Sequence, residues 1–259
     1  MRNSAQTNEM NRKNPIMKAY TIERSQTRKL RAPSVLALLL TASVACIALA
    51  FGKEPYKPKI DPANFQSKID HPYFPLVPGT AFHYMEKAGG ETSENDVTVT
   101  HDTKTIMGVK CVVVHDKLSQ KGRVTEDTYD WYAQDKEGNV WYFGEATKEF
   151  KEGGAVDTAG SWEAGVNGEP GMIMPANPKP GEPYRQEYSP NNAEDMGQVA
   201  SVDETITVPA GTYKNCVTTK DWSLLEPGSE NKWYAKGVGV VQAKSTIGEF
   251  DALISIERP

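Results

Sequence analysis

The chain has 259 residues, of which 29 are Lys or Arg and 34 are Asp or Glu, giving a formal net charge of −5. Residues 1–50 hold eight of the basic and two of the acidic residues, so the remaining 209 residues carry a net charge of −11. A surface this acidic repels nucleic acid and anionic lipid, which excludes polyanionic partners.

The first 50 residues are predicted to be an export signal and no part of the fold. The apolar run "VLALLLTASVACIALA" follows the basic "RKLR" and ends in small residues, the pattern of a secretory signal peptide. It is too short for a membrane span, which needs about 20 apolar residues, so no transmembrane segment is expected in the mature chain. Cleavage is expected after Ala50, with Met17 as the true start and lipidation at Cys46 as the alternative route. Either route places the protein in the periplasm or outside the cell.

Two stretches that contain Trp-Tyr-Ala, "DWYAQDKEGNV" and "KWYAKGVGV", lie 102 positions apart. Pro-Gly pairs at 78–79 and 180–181 share this offset, and "MGVKCVVV" matches "AGTYKNCVTT" in the same order. Self-similarity of this kind indicates a tandem repeat. The predicted organisation is a Lys/Pro-rich linker at 51–71 and a duplicated domain at 72–259, made of repeat one (72–152), an insert (153–180) and repeat two (181–259).

Each repeat is predicted to be an antiparallel β-meander. The stretch "TYDWYAQDKEGNVWYFGE" is two runs of aromatic and β-branched residues joined by a glycine-containing hairpin turn. No stretch after the signal has a sustained helical period of apolar residues. Each meander alone is too small to bury a hydrophobic core, but the two can pack against each other and share one core. We therefore expect a mostly β domain in which both form one curved sheet, half-barrel or sandwich, with little helix.

The insert at 153–180 is too apolar to be a plain linker, since it contains Trp162 and the run "GMIM". Long loop-like segments in compact domains are uncommon unless they are functional or disordered. We therefore predict that the insert packs over the opening of the sheet as a lid.

Several motifs resemble those of known families. "IDHPYFPLVPGT", "DWYAQDKEGNVWYFGE" and "IMPANPKPGEPYRQEY" resemble a group of uncharacterised secreted bacterial proteins. The "VPAGTYKNC" and "KWYAKGVGVV" stretches are similar to the signature of periplasmic β-proteins related to the lipoprotein carriers of the outer membrane. The resemblance covers most of residues 70–245. It implies a curved or half-open antiparallel sheet and an envelope location, and it supplies no catalytic residue.

Aromatic residues are expected on both faces of the strands, because Tyr129 and Trp131 share one face while Tyr132 takes the other. Either both faces are covered, or one lines a concave site for a ligand. The leading hypothesis is a secreted, non-catalytic β-protein that binds an apolar, glycan or protein ligand in the bacterial envelope without a cofactor. The candidate ligand-binding residues are Tyr129, Trp131, Trp141, Trp162 and Trp233.

Paired carboxylates supply an alternative hypothesis, an extracellular hydrolase or lyase that acts on glycans. Glycoside hydrolysis needs two carboxyl groups about 5–10 Å apart beside aromatic surfaces, and Glu163 and Glu187 are the candidate pair. Other acidic residues that alternate along a strand, such as Glu126 and Asp130, are expected to form a solvated face.

Copper binding is a second alternative. "HYM" and "MIM" each place two ligand atoms on one face of a strand, and imidazole with thioether suits Cu(I). The candidate ligands are His83, Met85, Met172 and Met174.

Two cysteines, Cys111 and Cys216, remain after export and occupy equivalent positions in the two repeats. In an oxidising compartment they could form a disulfide that joins the repeats. The other interpretation is two separate buried thiols, each packed within its own repeat. The sequence leaves both open.

Overall fold

The computed structural model describes residues 56–259, which form strands, turns and one short 3₁₀ helix at Pro62–Asn64. The predicted signal peptide, with Met17, Cys46 and Ala50, lies outside the described residues. Within residues 56–259 no helix has the length and apolar content needed to cross a membrane. The strands are β1 (Phe65–Gln66), β2 (Ile69–His71), β3 (Phe74–Leu76), β4 (Ala81–Ala88), β5 (Glu91–Ile106), β6 (Val109–Gln120), β7 (Arg123–Asp135), β8 (Val140–Phe150), β9 (Val156–Asp157), β10 (Trp162–Glu163), β11 (Glu169–Met174), β12 (Tyr184–Arg185), β13 (Glu187–Tyr188), β14 (Asp195–Val208), β15 (Gly211–Ser223), β16 (Glu230–Ala235), β17 (Gly239–Ser245) and β18 (Phe250–Glu257).

Sixteen of these strands form one antiparallel sheet, and β2 and β3 pair with each other as a separate hairpin. Strands β4 to β8 make one five-stranded meander and β14 to β18 make another, each strand pairing with its neighbour in sequence. Pairing of β18 with β4 joins the two meanders edge to edge. The expectation of a mostly β protein built as one curved antiparallel sheet is confirmed.

The sheet nearly closes on itself at residues 184–188. Strand β12 pairs with β14 and β13 pairs with β11, at the two opposite ends of the strand order. Gln186 lies between them and donates its backbone N–H to the carbonyl of Asp195. Two glycines make room for it, because a Cβ on Gly171 would lie 2.0 Å from the Gln186 carbonyl oxygen and one on Gly197 would lie 2.4 Å from its Nε2. We call residues 184–188 with these two glycines the seam.

The insert extends the sheet and does not cover it. Strands β9, β10 and β11 all pair with β8, so the insert occupies the edge that the first meander would otherwise leave open. The lid prediction is wrong, because the unpaired backbone groups of an edge strand favour strand addition.

A hairpin of β2 and β3 plugs one end of the nearly closed sheet. The Phe74 ring lies 5.4 Å from the Tyr132 ring and 6.3 Å from the Tyr234 ring, so it contacts the tyrosines of both Trp-Tyr-Ala motifs. Gly237 donates its backbone N–H to the Pro72 carbonyl at 2.7 Å. The plug therefore connects the two meanders through their interior.

The segment predicted as a spacer, 51–71, is described from Tyr56 onward and packs against the sheet. The Phe65 ring lies edge-on to Phe143 at 5.6 Å, and the Tyr56 hydroxyl donates to the Pro170 carbonyl at 3.0 Å. This part of the spacer belongs to the fold because its aromatic residues contact β8 and β11.

The inward face of the sheet changes from apolar to acidic along the strands. On β7, Tyr132 lies near the plug, while Asp130 and Glu126 lie toward the opposite end. The Tyr142 hydroxyl donates to Asp130 at 2.6 Å, and the Thr128 hydroxyl donates to Glu126 at 3.1 Å. The expected solvated face is therefore wrong for Glu126 and Asp130, which are buried in a polar interior that supplies hydrogen bonds.

Candidate functional site

A cleft opens at the acidic end, beside the seam and under the β15–β16 connection. The cleft has an empty volume of about 610 Å³ when its open mouth is included. The part of this volume in which the centre of a water molecule can lie is about 40 Å³. Its base therefore holds about three waters or one small head group. The lining residues are Tyr132, Tyr142, Ile173, Gln186, Glu187, Asp195, Asp221, Trp222, Ser223, Glu226, Pro227, Gly228, Ser229, Glu230, Lys232, Ser245 and Ile247.

The cleft is lined by five carboxylates and one cation, Lys232. The Lys232 ammonium lies 3.3 Å from Asp221 and 3.3 Å from Glu230. Among residues 56–259 it is the only buried lysine or arginine, whereas eleven Asp and Glu residues are buried. One ammonium group thus balances only part of the carboxylate charge around it.

Glu187 is the most enclosed of these carboxylates. Its residue is 4% exposed, and its Oε2 has no hydrogen-bond partner among the described residues. Burial raises the pKa of Glu187 well above its usual range, and the charges of Asp195 and Glu145 raise it further. Burial also raises the pKa of Asp195 to about 6, against the opposing effects of a hydrogen bond from Ser223 and the charge of Lys232.

The carboxylates that contact Lys232 are also shifted toward the neutral form. Burial raises the pKa of Glu230 to about 8, although the charge of Lys232 opposes the shift. Burial alone would lower the pKa of Lys232, but Glu230 and Asp221 raise it well above its usual range. Lys232 is therefore held in its charged form, while the raised pKa values of Glu187, Asp195, Asp221 and Glu230 favour the neutral forms of these carboxyl groups.

An aromatic wall stands beside these charges. The Tyr132 and Tyr142 rings stack at 4.7 Å, and Trp162 packs edge-on against Tyr142 at 5.5 Å. At the mouth, Ile247 is 58% exposed, and Trp222 also lines the opening. The site therefore combines a charged base with an apolar rim.

The five aromatic residues predicted to bind a ligand do not converge on this cleft. Trp162 stands behind Tyr142, and the other four are held by contacts elsewhere. The Trp131 ring lies under the Lys104 ammonium, and Tyr129 stacks on His115. The indole N–H groups of Trp141 and Trp233 donate to Asp135 and Glu204 respectively.

Of the predicted catalytic pair, only Glu187 reaches the cleft. The Glu163 carboxylate binds the Lys104 ammonium at 2.7 Å, and it is absent from the lining of the cleft. Glu163 follows inward-facing Trp162 on β10 and so points to the opposite face. The carboxylates that the structure places around Glu187 are Asp195, Glu145 and Asp130.

The four predicted copper ligands are not brought together. His83 and Met85 lie on β4, while Met172 and Met174 lie on β11, and β5 to β8 separate these strands in the sheet. His83 instead contacts Asp96 at 2.7 Å on the outer face. In residues 56–259 no group of three or more His, Cys, Asp or Glu side chains is arranged to hold a metal ion.

The two cysteines are free, buried thiols. Each points to a carbonyl of its own strand region, Cys111 to Val109 at 3.7 Å and Cys216 to Tyr213 at 3.6 Å. The structure therefore contains two separate buried thiols, the second of the two arrangements that the sequence left open, and the candidate disulfide between Cys111 and Cys216 is not formed.

Sequence reasoning missed Asp221, Glu230 and Lys232 as site residues. One signal was available: in "ENKWYA" the lysine alternates with Trp233 and shares a face with Tyr234. A lysine on the same face as an inward-facing aromatic residue indicates one of two arrangements. Either its ammonium group is buried in an ion pair, or its aliphatic chain packs on the apolar surface while the ammonium group reaches water. The partner strand that decides between them, β15, is not identifiable from this stretch alone.

Comparisons with known proteins give only distant likenesses. No family model matches the chain, and no significant relative was found among curated proteins. A Bacteroides fragilis protein described as exported, with a YmcC-like fold, is 18% identical with a TM-score of 0.44, covering 72% of this chain and 99% of its own. A protein from Parabacteroides distasonis described as a lipoprotein is 14% identical with a TM-score of 0.40, covering 74% and 100%. These likenesses are too weak to assign a function.

Proposed function

We propose that this is an exported, non-catalytic protein of the bacterial envelope that binds a small ligand in the cleft beside the seam. The observation that carries the proposal is the Glu187 carboxylate, which is buried, lines an open cleft and has an oxygen without a partner among the described residues. Burying a carboxylate in this way is costly unless something binds it. A ligand that enters the cleft would supply the missing contact.

The export part of the proposal is supported by the basic and apolar N-terminal sequence. Mass spectrometry of the protein recovered from the producing cells tests it. Cleavage after Ala50 gives a chain that begins at Phe51, while lipidation gives a chain that begins at an acylated Cys46. A chain that still begins at Met1 or Met17 would contradict export by either route.

Binding in the cleft is tested by thermal unfolding with a panel of four probes: hexylammonium, hexanoate, hexanol and a soluble disaccharide. A ligand at about a hundred times its Kd adds about 2.7 kcal/mol of stability, which raises Tm by roughly 5–10 °C in a protein of this size. Ile173→Trp narrows the cleft and should abolish the shift. Val166→Trp, at a position that is 76% exposed, is the matched control. No shift with any probe, or an undiminished shift in Ile173→Trp, would refute the site.

Glycan hydrolysis is a second candidate function, favoured by the effect of Asp195 on the pKa of Glu187. A raised carboxyl pKa next to a second carboxylate suits a general acid. Binding remains the leading proposal because Glu163, the predicted partner of Glu187, binds Lys104 and does not line the cleft. Release of reducing ends from soluble glycans that is lost in Glu187→Gln would favour hydrolysis instead.

A further inference from the structure

We propose that the ligand of this cleft is an organic cation, an ammonium group carried on an apolar body. The inference rests on the proposed function and names the chemical class that the same site would accept.

The first argument is charge. Five carboxylates and a single ammonium group line the cleft, so an anionic ligand would be repelled from it. Burial raises the pKa of four of these groups, and a neutral ligand would leave any ionised carboxylate among them without a counter-charge. A cation compensates that charge and thus favours the ionised form of these groups.

The second argument is the number of available acceptors. Glu187 Oε2, Asp195 Oδ1 and Glu230 Oε1 belong to cleft-lining residues and have no hydrogen-bond partner among the described residues. An ammonium group has three N–H donors and no acceptor. The Lys232 ammonium shows that such a group is compatible with this interior, because it lies between Asp221 and Glu230.

The third argument is size and polarity. The cleft is narrow and is bordered by Tyr132 and Tyr142, whose rings stack on each other. The residues that line the cleft also include the apolar Ile173, Trp222 and Ile247, and Ile247 is 58% exposed. A ligand with an ammonium head in the base would therefore place an apolar body against an apolar rim.

A bare divalent metal ion fits these residues less well. Calcium takes six to eight oxygen ligands at about 2.3–2.6 Å, and no group of three or more ligating side chains is arranged for a metal ion in the described part of the chain. Ammonium binds through hydrogen bonds at about 2.7–3.2 Å, so it requires less convergence of the carboxylates.

Isothermal titration calorimetry with hexylammonium, hexanoate, hexanol and Ca²⁺ tests the proposal on the purified protein. We expect hexylammonium to bind at least tenfold more tightly than the other three. Its affinity should be higher at pH 8 than at pH 5.5, because at the lower pH protons compete with the cation for the carboxylates. Butyl- and octylammonium should bind more weakly and more tightly respectively, as the apolar contact at the rim changes.

Glu187→Gln should weaken hexylammonium binding at least tenfold, and Asp195→Asn is the second variant if Glu187→Gln does not fold. Glu152→Gln removes the same charge from an exposed position and should leave binding unchanged. Equal losses in Glu187→Gln and Glu152→Gln, or preferential binding of Ca²⁺, would overturn the proposal. If hexanol or hexanoate binds more tightly than hexylammonium and this binding is lost in Ile173→Trp, the ligand is not a cation, but the cleft is still a binding site. Failure of all four probes would overturn the cation proposal, and failure of the disaccharide as well would overturn the binding function.

Discussion

The two Trp-Tyr-Ala strands share a scaffold and differ in charge. Tyr132 on β7 and Tyr234 on β16 are both buried and both contact Phe74. Two residues earlier, however, β7 places Asp130 in the interior and β16 places Lys232. The only buried lysine among residues 56–259 thus stands where the other meander has a carboxylate. The comparison shows that two strands with the same motif differ in charge at one inward position, and Lys232 of the second strand lines the cleft.

Of the changes considered, replacing Lys232 should lower the free energy of unfolding most. Lys232→Met leaves Asp221 and Glu230 without their shared counter-ion, and breaking a buried ion pair costs about 3–5 kcal/mol. The loss should be greatest at pH 8 and smaller at pH 5, where protonation neutralises the remaining carboxylates. Urea unfolding at both pH values measures it, with exposed Lys220→Met as the control. An equal loss in the two variants would show that burial of the charge is unimportant.

The seam, where the sheet nearly closes on itself, should be the next most sensitive feature. In Gly171→Ala the new methyl group would lie 2.0 Å from the Gln186 carbonyl oxygen, and overpacking of this kind costs about 1–3 kcal/mol. Gly181→Ala is the matched change, since its nearest atom outside the adjacent residues is 3.6 Å away. Unfolding free energies should therefore fall for Gly171→Ala and stay nearly constant for Gly181→Ala. If the two values agree, the close approach at the seam is not needed for stability.

A smaller effect should appear in the pH dependence of stability. The Glu230 carboxyl group has a pKa of about 8 in the fold, against 4.5 ordinarily. Between these values the folded protein binds more protons than the unfolded chain, so the free energy of unfolding falls as pH rises. Glu230→Gln should flatten this fall over the interval from pH 4.5 to 8, because the variant has no carboxyl group to titrate at this position. Thermal unfolding across that range checks it, and an unchanged slope would assign the dependence to other carboxylates.

Much of the strand content was predictable because strand signals are local. Turn glycines such as Gly138, with φ of 101°, and the alternation of side chains along "TYDWYAQD" depend only on neighbouring residues. The tandem repeat stays a prediction from the sequence. The aromatic site residues were misplaced because the tryptophans of both motifs take the outer face, while Tyr132 lines the cleft.

The sequence by itself determined that the chain folds as antiparallel strands, since hydrophobic alternation and turn chemistry act within a few residues. Only the tertiary structure decided which face of each strand is enclosed. Glu126 and Asp130 read as solvent-exposed residues in isolation, yet near-closure of the sheet through Gly171, Gly197 and Gln186 encloses them. The physical reason is that burial depends on what lies across the interior, and the strands that enclose this cleft come from both ends of the strand order.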